Sequence, residues 1–114
     1  MAKTQTKING IAEPMLIEII KRIVAVAKPQ KIILFGSGAR GQLGPSSDLD
    51  ILVVKDGVGR RALAQEIYSH MRGIEIGLDI VVATSEDLER FKDSLTVVIG
   101  QALKEGKVIY DTAA

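Results

Sequence analysis

Asp48 and Asp50 stand on either side of Leu49 at the head of the apolar run Leu49-Asp50-Ile51-Leu52-Val53-Val54. Extended backbone alternates its side chains, so both carboxylates fall on one face, about 7 Å apart along the chain. Leu49, Ile51 and Val53 point the other way, into a core. Two carboxylates so placed repel each other unless something cationic sits between them, and their hard oxygens suit a divalent ion such as Mg²⁺. Capping a turn, or pairing with Arg40, would explain one of them; it does not explain two at this spacing. A third acid, Asp79, is embedded in Gly77-Leu78-Asp79-Ile80-Val81-Val82-Ala83. If the two runs are neighbouring strands, Asp79 joins the first pair. Three carboxylates over a sheet are what two-metal phosphoryl chemistry needs, one ion at the attacking oxygen and one at the leaving oxygen. Taken alone, Asp79 has a plainer reading as a strand-end cap, the less favoured of the two.

The chain just before these acids can supply the other half of such a site. Gly36-Ser37-Gly38 follows the apolar run Lys31 to Phe35. Backbone N–H groups at Gly36, Ser37 and Gly38, with the Ser37 hydroxyl, can cradle phosphate oxygens. By itself such a turn could be no more than a tight bend. Residues 36–41 also match G-x-G-x-x-G, with Asp56 twenty residues beyond Gly36, where a dinucleotide fold keeps its ribose acid. The connection argues against that fold. Parallel strands need a crossover of a dozen or so residues, and Gln42 to Asp48 cannot supply the helix.

The elements that must position these residues can be read from periodicity. Leu16, Ile19, Ile20, Ile23, Val24 and Ala27 recur at helical spacing within Glu13 to Lys28, with Pro14 at the start. Lys31 to Phe35 and Leu49 to Val54 read as buried strands, and Arg60 to Met71 as a helix with Leu63, Ala64, Ile67, Tyr68 and Met71 on one stripe. Glu75 to Ala83 is a third strand. Thr84, with Asp87 three residues on, marks a capped helix start, followed by helices from Glu86 to Ser94 and from Leu95 to Glu105. Gly106 is a natural stop, and Lys107 to Tyr110 a final edge strand. The expected order is α, β, turn, β, α, β, α, α, β. It implies an α/β (α+β) fold, a small mixed β-sheet flanked by helices, with residues 1–12 as a flexible tail and 13–114 as one domain.

Composition narrows the functional classes. The 114 residues are 46% hydrophobic but only 4% aromatic, with no Trp, so the core is aliphatic. A net charge of +1 offers no broad basic surface, and direct nucleic-acid binding is not expected. The absence of cysteine removes disulfides and thiolate metal sites and fits a reducing, cytoplasmic setting. No apolar run nears the roughly 20 residues of a membrane span. The opening MAKTQTK leads into no apolar stretch, so a cleaved signal peptide is not expected either.

The two-part string Gly36-Ser37-Gly38-Ala39-Arg40-Gly41, then Ser47-Asp48-Leu49-Asp50 with apolar residues after it, resembles the motif of the DNA polymerase β-like nucleotidyltransferase superfamily. Asp79 matches its third, strand-borne carboxylate. The nearest likeness is to the minimal nucleotidyltransferases, small proteins that partner a HEPN-type toxin in toxin–antitoxin pairs. The resemblance covers about Lys31 to Ala83. It implies that Gly36 and Ser37 hold the phosphates of a nucleoside triphosphate and that Arg40 orients the turn or touches phosphate. Asp48 and Asp50 would ligate Mg²⁺, and Asp79 would complete a two-metal site and help activate the attacking hydroxyl.

The same resemblance implies that ATP is the substrate, that AMP is transferred with pyrophosphate leaving, and that the acceptor is a tyrosine hydroxyl on the toxin. Larger members carry a further domain for the base and acceptor, whereas only about thirty residues follow Ala83 here. A partner protein, in a hetero-oligomer, would complete the site. The alternative is an antitoxin that neutralises its toxin by binding alone. A small-molecule acceptor would need a substrate domain that the sequence does not provide. The remaining candidates read as structural: His70 at a helix C-terminus, Arg60 and Arg61 as a solvated pair, Tyr68 and Tyr110 in the core or an interface, and Met71 in packing.

Overall fold

A computed structural model describes residues 3–4, 13–36, 48–94 and 97–113. The first helix, α1 (Glu13–Ala27), buries Leu16, Ile19, Ile20, Ile23 and Ala27, the stripe set by its three- and four-residue spacing. It ends at Lys28, whose φ of 45° turns the chain out of the helix while its N–H still bonds Val24 O at 3.0 Å. The chain then enters β2 (Lys31–Phe35), which pairs antiparallel with β3 (Leu49–Val54). From β3 it crosses through α2 (Arg60–Ser69) to β4 (Leu78–Ala83), laid parallel to β3. Helices α3 (Ser85–Phe91) and α4 (Val98–Glu105) follow, and β5 (Lys107–Asp111) returns antiparallel to the free side of β2. Lys3–Thr4, within the stretch read as a tail, form a two-residue strand β1 on the edge of β5. The sheet order is β1-β5-β2-β3-β4. This is the mixed sheet flanked by helices that the sequence implies.

Strand alternation divides the core into two layers. Leu49, Ile51 and Val53 of β3 join Ile32, Leu34, Ile80 and Val82 against α1 and α2. Leu52, Ile33, Phe35 and Ala83 face Ile99 and Ala102 of α4, with Leu88 and Phe91 of α3 packed beside them. A strand buried on both faces must be apolar throughout, which is why β2 and β3 carry almost uninterrupted Ile, Leu and Val. Asp50 is the exception in β3: all its neighbours in the strand are buried and it is half-buried.

Several boundaries differ from the periodicity; α2, expected to Met71, ends at Ser69. The strand expected from Glu75 begins at Leu78, because Ile74 still closes a turn onto Met71 O and ladder pairing starts only where Gly77 O accepts from Leu49 N at 2.9 Å. Helix α3 stops at Phe91 instead of Ser94, and α4 starts at Val98 instead of Leu95. Among the described residues, no helix is long and apolar enough to cross a membrane.

Candidate functional site

The parallel register of β3 and β4 sets Asp50 directly opposite Asp79. On its other side Asp50 faces Phe35, the last residue of β2. One register step earlier, Leu49 pairs with Leu78 and its N–H bonds Gly77 O, which brings Asp48 beside Gly77. Asp50 shares its side of β3 with Leu52, two residues on, and Asp79 shares its side of β4 with Val81. Both acids therefore lie on the sheet face that α3 and α4 cover further along. At the heads of β3 and β4, Asp48 and Asp79 are exposed. The three acids predicted from spacing thus share one face at one end of the sheet.

Two glycines make room for them. Gly36, at φ 70°, is in the left-handed region, and a Cβ there would run into Asp50 Oδ2, with Asp50 Cγ only 3.2 Å away. A Cβ on Gly77 would run into Asp48 Oδ1, with Asp48 Cγ at 2.8 Å. The Asp50 carboxylate lies toward β2 and the Asp48 carboxylate toward β4, on opposite sides of β3. In keeping with that divergence, no group of three His, Cys, Asp or Glu side chains among the described residues comes together closely enough to hold a metal ion. The donor chemistry itself suits Mg²⁺: three carboxylates on one open face, with no softer ligand among them. Ser37 and Arg40, the other two predicted site residues, lie outside the described residues.

Residues 17–114 match the family described as Polymerase beta, Nucleotidyltransferase. The chain belongs to this family. Among solved structures, this nucleotidyltransferase is similar to a toxin–antitoxin complex with AMP-PNP, at 27% identity over 90% of this chain and 75% of that one, TM-score 0.56. It is similar to the toxin–antitoxin MntA–HpeT, in a mutant with two aspartates changed to glutamate two positions apart, at 20% identity, 90% and 75% coverage and TM-score 0.60. A third is a candidate nucleotidyltransferase from Sulfolobus solfataricus, at 20% identity over 83% of this chain and 76% of that one, TM-score 0.56. No curated protein matches the chain.

At the far end of the nucleotidyltransferase sheet, Asp56 is a structural bracket and not the ribose acid of a dinucleotide fold. It accepts from Ser85 N at 2.7 Å and Ser85 Oγ at 2.9 Å, while its own N–H donates to Gln30 Oε1 at 2.8 Å. The Ser85 backbone N–H is the main cause that holds the Asp56 carboxyl below its ordinary value, aided by the Ser85 hydroxyl and Gln30. Thr84 and Asp87 form the reciprocal cap that their spacing predicts, and the Thr84 backbone bond chiefly lowers the Asp87 pKa. Arg60, read as solvated, pairs with Asp87 at 3.0 Å.

His70 is exposed and its ring bonds Glu66 O at 2.9 Å, in line with a surface residue at the end of α2. Met71 is buried in packing, as expected. Tyr68 is 43% exposed, and its hydroxyl accepts from Ile80 N at 2.7 Å. Gly77 was not singled out by sequence reasoning, because its place depends on the register between two strands, which no local pattern carries. Asp48-Leu49-Asp50 lies in register with Gly77-Leu78-Asp79, so glycine occupies the place facing the first aspartate.

Proposed function

We propose that this nucleotidyltransferase transfers AMP from ATP to a hydroxyl, a tyrosine of a HEPN-type toxin, and so serves as that toxin's antitoxin. The observation that carries the proposal is the meeting of Asp50 with Asp79 across the β3–β4 ladder, with Asp48 two residues earlier on the same face. Asp48, Asp50 and Asp79 would hold Mg²⁺. When bound, the ions would neutralise the triphosphate and the charge that develops on the attacking and leaving oxygens. Gly36 and Ser37 would cradle the β- and γ-phosphates, and Arg40 would orient the turn. The acceptor oxygen forms a bond to the α-phosphorus, the bond to pyrophosphate breaks, and the hydroxyl proton leaves toward the carboxylates, with Asp79 helping to draw it off.

The toxin partner is supported by the two toxin–antitoxin neighbours, one of them solved with AMP-PNP. The paired aspartates altered in the other have the same two-residue spacing as Asp48 and Asp50. Among the described residues, Asp48 and Asp79 stand exposed at the strand heads, which leaves room for a partner to bring its hydroxyl.

The test is incubation with the protein encoded beside it, α-labelled ATP and Mg²⁺, followed by intact mass of both chains. The expected result is one or more adenylyl units on the partner, lost in the Asp48→Ala/Asp50→Ala double variant. A stable complex without any added mass would instead establish an antitoxin that acts by binding alone.

A further inference from the structure

Asp50 has an aspartate opposite it on β4, whereas Asp48 has Gly77. Backbone conformation does not account for that glycine. Gly36, Gly57 and Gly73 have positive φ and Gly77 does not, so any L-residue could adopt its backbone. Core packing does not account for it either. The three heavy atoms nearest to a Cβ built on Gly77 all belong to the Asp48 carboxyl group: Oδ1, Cγ at 2.8 Å and Oδ2 at 3.5 Å. What the missing side chain provides is room for one carboxylate.

We propose that Gly77 is a positioning residue for Asp48. By leaving a notch on β4, it lets the Asp48 carboxylate lie across the parallel ladder on the side of Asp79, the orientation in which the two can share a divalent cation. This inference rests on the metal reading of the three acids given above. A methyl group at Gly77 closes the notch, and Asp48, exposed at the very head of β3, answers by rotating its side chain away from β4 without disturbing the core. The fold therefore tolerates the change while the carboxylate loses its direction.

The experiment uses the full chain as wild type, Gly77→Ala, Asp48→Ala and the double variant, with Mn²⁺ as the probe. Mn²⁺ affinity is read by electron paramagnetic resonance, and the side-chain rotamer of Asp48 by three-bond NMR couplings without metal. Gly77→Ala is expected to weaken Mn²⁺ binding about tenfold, the scale on which groups that orient a metal ligand act. It should change the Asp48 rotamer, leave the thermal midpoint near that of wild type, and add nothing to the loss caused by Asp48→Ala. Unchanged affinity and rotamer in Gly77→Ala, or an equal loss in both backgrounds, overturns the inference and leaves the metal reading standing. A wild-type chain that binds no Mn²⁺ while the rotamer still shifts overturns the metal reading, and this inference with it.

Discussion

Asp50 and Asp79 face each other across two parallel strands, each the one charged residue in its strand. Like charges directly opposite on a sheet are destabilising, here only slightly, because the Asp50 carboxylate leans toward β2. Asp79→Asn is therefore expected to match or slightly exceed wild type in thermal stability without metal, while losing any stabilisation by added Mg²⁺ and the transferase activity. Paired melting curves with and without Mg²⁺ check this. A variant still stabilised by Mg²⁺ as strongly as wild type would remove Asp79 from the proposed metal site.

Gly36→Ala combines two penalties. A left-handed backbone disfavours L-residues by about 1–2 kcal/mol, and the new methyl meets the Asp50 carboxylate. A loss of at least that size is expected from urea unfolding. Measured in an Asp50→Gly background, the cost of Gly36→Ala should shrink to the backbone penalty at φ 70° alone.

Acid should weaken the far end of the sheet. Hydrogen bonds from Ser85 hold the Asp56 carboxyl below its ordinary value, so the unfolded chain takes up the proton at higher pH than the folded one. The stability from this bracket is present above the unfolded pKa of about 3.9 and is lost as pH falls through the folded value. Asp56→Ala is expected to be less stable than wild type near neutral pH and to decline less steeply below about pH 4. Urea midpoints across that range measure it, and parallel pH curves for the two proteins would refute it.

Tyr68→Phe removes the hydroxyl that accepts from Ile80 N on β4, an edge strand of the sheet. For one partly exposed hydrogen bond the expected loss is about 1 kcal/mol or less. The sharper signature is local: faster amide exchange at Ile80, with the amides of β2 unchanged.

Much of the architecture was already written in local order. The spacing of Leu16, Ile19, Ile20 and Ile23 determines a helix with one buried face. The nearly continuous apolar runs of Lys31–Phe35 and Leu49–Val54 determine strands covered on both sides. Thr84 and Asp87 determine a helix start, because both halves of that cap lie within three residues. Asp48 and Asp50 share a face through period-two alternation alone. Asp79 was legible as a third acid only on the condition that its strand lay next to theirs.

That condition depends on how the chain returns through α2, and no local pattern contains it. Only the tertiary structure decided that Asp79 meets Asp50, that Gly77 faces Asp48, and that Asp56 binds Ser85 at the opposite end of the sheet. Alternation and capping act over a few residues of one segment, so the sequence alone determines them. Register between strands 29 residues apart, Asp50 against Asp79, is a choice among many pairings, settled by which one buries the apolar sets of both faces at once.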